Sequence, residues 1–209
     1  MNVIGFDDGP FLREHRGDVL LVGVVCSGTR VDGIVSGKVR RDGANATRVM
    51  IDLVLASQFA MHLQAVVFQG IAVGGFNVVD IHGLSAALGI PVLVVTRRPP
   101  DMPAVKRALF HSSPALRPRV PGAARKWKPI EQAGAMEMLG ASQRAKRRVN
   151  VTGIRTTEPR LWVQRAGLSL DDARALVADT TLHGNIPEPV RLAHLIAGGI
   201  TTGKSRGRA

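Results

Sequence analysis

The stretch "LQAVVFQGIAVGGFNVVDIHGLSAALGIPVLVV", residues 63–95, decides the fold. Its opening seven residues are an apolar run too short for a helix and read as a strand. The run has almost no polar alternation, which places it inside a sheet, covered on both faces and parallel to a neighbour. "FNVVDIHGLSAALG", residues 76–89, reads as a helix closed by Gly89, and "IPVLVV", residues 90–95, as the next strand. Strand, helix and strand in this order form a crossover between parallel strands.

Working back from that unit, "NVIG" runs into "FDDG", a short strand ending on Asp7 and Asp8. "DVLLVGVVCS", residues 18–27, is a buried strand, "GTRVDG" is turn chemistry, and "IVSGKVR", residues 34–40, alternates as a third strand. Strands joined so closely pair antiparallel. From Ala44, "ANATRVMIDLVLASQFA" carries Val49, Met50, Leu53, Val54 and Phe59 near helical spacing, with Asn45 or Thr47 as cap. The order βββαβαβ predicts an RNase H-like α/β fold, a mixed five-stranded sheet with helices on both faces. Element order alone also admits a flavodoxin-like sandwich.

A chain of 209 residues with 45% apolar content can bury one substantial core. The expected organisation is a single domain over residues 1–200, with a basic Pro/Arg-rich insertion at about 97–148 and a mobile basic tail at 201–209. Cys26 stands alone inside an apolar run, which excludes a disulfide framework and a Cys-based metal site and predicts a buried small residue. "MNVIGFDDGPF" lacks the pattern of a signal peptide, and no apolar run nears the roughly 20 residues needed to span a bilayer. A cytoplasmic protein with no membrane contact is the expectation.

A net charge of +12 and a pI near 11.4 point to a polyanionic partner, with compositional bias as the bland reading. Much of that charge is local: residues 97–148 hold thirteen Lys or Arg against three acids. Trp127 sits among Arg125, Lys126 and Lys128, a stacking surface among charges that suits a nucleic-acid strand, although it could equally anchor a long loop. Arg144, Lys146, Arg147 and Arg148 form a second basic run. Further on, "SLDDARALVADTT" reads as a helix capped by Ser169, and "IPEPVRLAHLIAGGI" as a helix opened by Pro189.

The acids at element ends are the candidates for chemistry. Asp7 and Asp8 close the first strand, and Asp42 lies between the third strand and the first helix. Carboxylates gathered at one sheet edge suit Mg²⁺ or Mn²⁺, which take hard oxygen ligands. Such an ion can activate a water against a phosphodiester.

"IGFDDGPF", "VRRDGANAT", "QGIAVGGFNVVDIHGL", "IPEPVRLAHLIA" and "GKSRGRA" together resemble the archaeal endonuclease dU family, a distant relative of endonuclease V. The resemblance covers nearly the whole chain. It implies an RNase H-like fold and metal-dependent cleavage of DNA near deaminated bases, deoxyuridine above all. It also implies Asp7 as the first-strand ligand, from its Gly-x-Asp context, and Asp42 as the second, because Arg41-Asp42-Gly43 is similar to an Arg-Glu-Gly motif. Arg41 is counted there among the nucleic-acid contacts. His194, which follows a Pro-Glu-Pro-x-Arg-x-Ala segment, is implied as an aid at the metal edge, with helix packing as its plain alternative.

Two departures stand out. The family relative carries an Asp in an Asp-Gly-x-Gly turn after the fourth strand, where this chain has Gln69-Gly70-Ile71-Ala72. An amide oxygen can ligate but adds no charge to hold a second ion, so cleavage would need one-metal hydrolysis or compensation by Asp8, while Asp80 would cap its helix, pair with Arg or reach the cluster. The relative also wedges DNA open with a Tyr, and this chain has none; Phe76 or Trp127 would substitute. The leading expectation is an endodeoxyribonuclease. A non-catalytic nucleic-acid-binding protein and an RNA-directed nuclease are the alternatives.

Overall fold

The apolar runs of the first forty residues form an antiparallel meander, β1 (Asn2–Asp8), β2 (Asp18–Ser27) and β3 (Arg30–Arg40). The computed structural model describes residues 1–110, 120–140 and 161–206. Helix α1 (Ala46–Leu55) leads to β4 (Ala65–Gln69), which lies parallel to β1, with Phe6 beside Phe68. A hairpin of two-residue strands, β5 (Ala72–Val73) and β6 (Asn77–Val78), precedes α2 (Ile81–Leu88). Next comes β7 (Val92–Thr96), parallel to β4. The remaining elements are α3 (Met102–Phe110), α4 (Ala123–Gln132), β8 (Glu137–Leu139), β9 (Leu161–Ala166), α5 (Leu170–Thr180) and α6 (Glu188–Thr202).

The sheet has seven strands in the order β3-β2-β1-β4-β7-β9-β8, not the five expected. β9 pairs antiparallel with β7 and carries β8 on its outer edge. Its sequence, "LWVQRA", hides a strand because Gln164 occupies a buried position. Its Nε2 donates to the Gly134 carbonyl at 2.6 Å, while its Oε1 is buried without a hydrogen-bond partner.

Two other elements differ from expectation. The helix expected over 76–89 begins only at Ile81, since Gly74 and Gly75 take positive φ and turn the chain into the hairpin. Asp80 caps α2, accepting from the Gly83 amide at 2.9 Å, and Gly89 ends it in the left-handed region at φ 66°. The basic segment after Thr96 is not simply a surface loop: Leu109 of α3, Ala123 and Ile130 of α4, and Val120 ahead of α4 are buried with Val78 as a satellite core.

The two faces of the sheet are covered by different helices. α1 and α2 pack Met50, Val54, Ile81 and Leu84 against Ile4, Phe6, Phe68 and Val94. On the other face, α5 and α6 bring Leu176 and Val190 onto Val3, Val67, Leu93 and Val163. Cys26 is buried there with Ala193 and Ala197, and burial pushes its thiol up to about 11. No described helix is long and apolar enough to cross a membrane.

Candidate active site at the end of the first strand

Alternation along β1 sends Phe6 into the α1–α2 core, Asp7 to the α6 face and Asp8 back again. α6 reaches Asp7 because it lies against Gly5: a Cβ there would stand 2.3 Å from the Pro189 carbonyl carbon and 2.4 Å from the Val190 nitrogen. Val190 is fully buried at this crossing, and His194, one helical turn on, arrives above the strand end. His194 Nδ1 lies 2.8 Å from Asp7 Oδ2. An ionised Asp7 has no proton to offer, so Nδ1–H is the donor, and in the neutral ring Nε2 then carries the lone pair. The imidazole is 43% exposed and the carboxylate 18%, so the ring is the accessible member of the pair.

Both strand-end acids titrate above the ordinary carboxylate range. Burial raises Asp7, and the His194 hydrogen bond and charge pull only partly the other way. Burial also raises Asp8, to about 6, with Asp7's charge adding to the shift and the Gly74 amide opposing it.

Asp42, the second ligand the resemblance implies, has its carboxylate engaged by protein groups. It sits at φ 48°, a left-handed conformation that Asp tolerates better than most residues. Its Oδ1 accepts the Phe76 amide at 2.8 Å, and its Oδ2 lies 3.4 Å from Arg41 Nε. Its backbone is also held: the amide donates to the Gly74 carbonyl at 2.8 Å, and the carbonyl accepts from Lys126 Nζ. The Asp42 carboxylate therefore clamps the hairpin whose Gly74 amide faces Asp8. Gly75 is required there: φ is 83°, and a Cβ would stand 2.5 Å from Asp42 Oδ1.

Among the described residues, no three His, Cys, Asp or Glu side chains are gathered as a metal-binding group. The donors are instead two consecutive carboxylates on opposite faces of the strand end, both raised chiefly by burial. Mg²⁺ fits such a pair, since it is commonly held by one or two carboxylates, with waters and substrate phosphate completing its shell. Gln69 stands exposed one residue beyond the Phe6–Phe68 pairing, beside Asp7 on the same face. Its amide oxygen is a further neutral donor.

The expected nucleic-acid contacts separate by position. Arg125 and Lys128 are exposed on α4. Lys126, expected with them, is only 3% exposed, and burial lowers its pKa. Arg41 likewise turns inward: it donates to the Arg13 and His15 carbonyls, the former at 2.6 Å, with its guanidinium 5.4 Å from the Phe11 ring centroid. Trp127 packs edge-on against Phe110 at 6.1 Å, and Phe76 is half-buried in the same cluster. Asp80, engaged as a cap, is not part of the acid group. Arg144, Lys146, Arg147 and Arg148 lie outside the described residues.

Sequence reading missed Asn77, which is fully buried. Its Oδ1 accepts the Ala46 amide that opens α1, and its Nδ2 donates to the Arg40 carbonyl and Asn45 Oδ1, at 2.7–2.9 Å. The Gly-Gly-Phe-Asn turn between apolar pairs was its available signal.

An acid-tipped central strand, a histidine delivered by the last helix and a mixed sheet define an α/β protein of endonuclease V-like fold. Endonuclease V of Ciona intestinalis, bound to a 24mer DNA containing an inosine followed by a ribo-adenosine, superposes with a TM-score of 0.53 at 15% identity, covering 92% of this chain and 82% of that one. A crystal structure of an Archaeoglobus fulgidus protein matches with a TM-score of 0.78 and 31% identity, covering 97% and 99% of the two chains. A UPF0215 protein of Deinococcus radiodurans is 49% identical over 207 residues, 99% of this chain and 92% of the relative. Another, from Methanothermobacter thermautotrophicus, is 40% identical over 210 residues, 100% of this chain and 92% of the relative. The family model for endonuclease dU matches residues 1–201, and the chain belongs to that family.

Proposed function

We propose that the protein is a divalent-metal-dependent endodeoxyribonuclease that cuts the DNA backbone near deaminated bases, deoxyuridine foremost, from an RNase H-like core. The observation that carries the reading is the Asp7–His194 contact beside Asp8 at the end of an internal strand. Family membership supports the reaction class, and the order β3-β2-β1-β4-β7, antiparallel then parallel, supports the fold assignment.

Asp7 would hold the ion with Gln69 as a neutral oxygen donor on the same face, and Asp8 would add negative charge from the other side of the strand end. A bound Mg²⁺ or Mn²⁺ supplies Lewis acidity at a phosphodiester oxygen and an acidified water. Asp7 fixes the His194 ring by accepting from Nδ1, which leaves Nε2 facing outward to take a proton from the attacking water. Asp42 acts at one remove, holding the hairpin against Asp8. Arg125 and Lys128 supply phosphate contacts that depend on charge rather than sequence.

The test is nicking of duplexes carrying uracil, hypoxanthine or neither, with Mg²⁺ and with chelator. Cleavage that requires both the metal and a deaminated base is expected. Binding without cleavage under every condition would leave a nucleic-acid-binding protein of the same fold.

A further inference from the structure

One residue beyond Asp8, the chain enters a loop whose walls enclose a recess of about 390 Å³. Phe11, Leu12, His15 and Leu20 line it on one side, and Thr201 and Thr202 on the other. The loop is braced from several directions. Gly9 donates to the Leu20 carbonyl, and a Cβ on Gly9 would stand 2.4 Å from Thr201 Oγ1, so the loop start lies directly on the end of α6. Arg41 holds the loop's far limb through the Arg13 and His15 carbonyls while covering one side of the Phe11 ring. His15 Nε2 lies 3.0 Å from the Asp18 carbonyl, and the Phe11 and His15 rings stand 6.3 Å apart.

Leu12, 76% exposed, stands at the rim, while Phe11 is half-buried against the core with one edge on the recess. The volume lies within the roughly 300–1,000 Å³ of small-ligand sites. Cations flank the lining segments in sequence: Arg13, Arg16, Lys204 and Arg206 are exposed, against Glu14, with Asp18 in the lining 3.6 Å from Arg40 and Asp8 one residue before Gly9. Rings and apolar side chains flanked by cations, one residue from the acids, match one ligand chemistry: a planar base attached to phosphates.

We propose that this recess receives a single unstacked nucleobase of the bound strand and so sets where the strand lies relative to Asp7 and Asp8. The inference rests on the nuclease reading and adds a base-holding site to it. Phe11 and Leu12 supply the apolar contacts, and the flanking cations hold the adjoining phosphates.

The experiment measures affinity in chelator for single-stranded deoxyuridine oligonucleotides in which one nucleotide at a time lacks its base. The parent is compared with Leu12→Ala and Phe11→Leu. In the parent, removal of the base at one position should weaken binding roughly tenfold, the scale of a single base stacked on a side chain. In both variants, removal at that position should have little further effect, because the protein side of the stack is already missing. Leu12→Ala changes an exposed side chain, so its melting temperature should match the parent's and exclude misfolding. If the parent binds and nicks but no position couples to Phe11 or Leu12, the recess is not a base site and the nuclease reading stands. A parent that binds none of the oligonucleotides overturns both.

Discussion

Asp7 and Asp8 are neighbours in the chain with opposite surroundings. Asp7 turns to the α6 face, where an accessible imidazole meets it at 2.8 Å. Asp8 turns to the hairpin face, where it gains the Gly74 amide while Asp7's charge opposes its ionisation. One side of the strand end pairs its carboxylate with an accessible imidazole, and the other meets the backbone of a loop. Asp42 belongs to the second side, although its sequence context alone groups it with Asp7.

The sharpest break of that comparison uses activity. Asp7→Asn should lower the metal-dependent nicking rate by about 10³-fold and His194→Ala by about 10²-fold, the range of a positioned acid–base group. Asp42→Asn keeps an oxygen for the Phe76 amide and should cost less than about tenfold. Single-turnover kinetics on a deoxyuridine duplex provides the measurement. An equal collapse in Asp42→Asn would move Asp42 into the reacting centre.

Next in size is the support beneath the α6 face. Gly5→Ala places a methyl against the Pro189 and Val190 backbone, which cannot move without carrying α6 away from β1. A stability loss of about 3 kcal/mol is expected by urea melt. Activity should fall with it, since His194 rides on that helix. A variant of parental stability would mean that α6 sits less tightly on β1.

How much of this is legible in the sequence follows the range of each interaction. β1 to β4 and the acids at their ends are readable because apolar runs and turn residues act locally. His194 is readable from the motif of α6, but its Asp7 partner lies 187 residues away. The Gly-Gly-Phe-Asn turn marks Asn77, but its bracing role is not readable, because its partners are Arg40, Asn45 and Ala46, more than thirty residues earlier. Lys126 misleads because "AARKWK" looks uniformly solvated, whereas the spacing of Ala123, Lys126 and Ile130 traces the buried face of α4. β9 is hidden by Gln164, whose burial depends on a carbonyl thirty residues distant.

A smaller effect separates Asp8 from its surroundings through pH. The folded protein holds the Asp8 proton up to about pH 6, whereas an unfolded chain releases it near 3.9. Folded molecules therefore bind more protons in that window, and this group's contribution to stability falls as pH rises through it. Asp8→Asn removes the slope while keeping an acceptor for the Gly74 amide. In chelator, the variant should be more stable than the parent at pH 7.5, by on the order of 2 kcal/mol, with the gap closing toward pH 4. A gap that does not change with pH would mean that Asp8 is solvated.

The smallest expected effects separate three basic residues on one helix. Arg125 and Lys128 are exposed, while Lys126 is buried with its Nζ on the Asp42 carbonyl. Removing either exposed charge should leave the melting temperature unchanged and reduce the salt slope of DNA binding by about one unit for each phosphate no longer neutralised. Lys126→Met should do the reverse. It keeps an apolar stem for the satellite core but withdraws a donor from a buried carbonyl, a loss of about 1 kcal/mol with no change in slope. Parallel salt titrations and melts of the three variants make the comparison. If Lys126→Met flattened the slope as Arg125→Ala did, its ammonium would have to leave the Asp42 carbonyl when DNA binds, and α4 would join the contacting surface along its whole length.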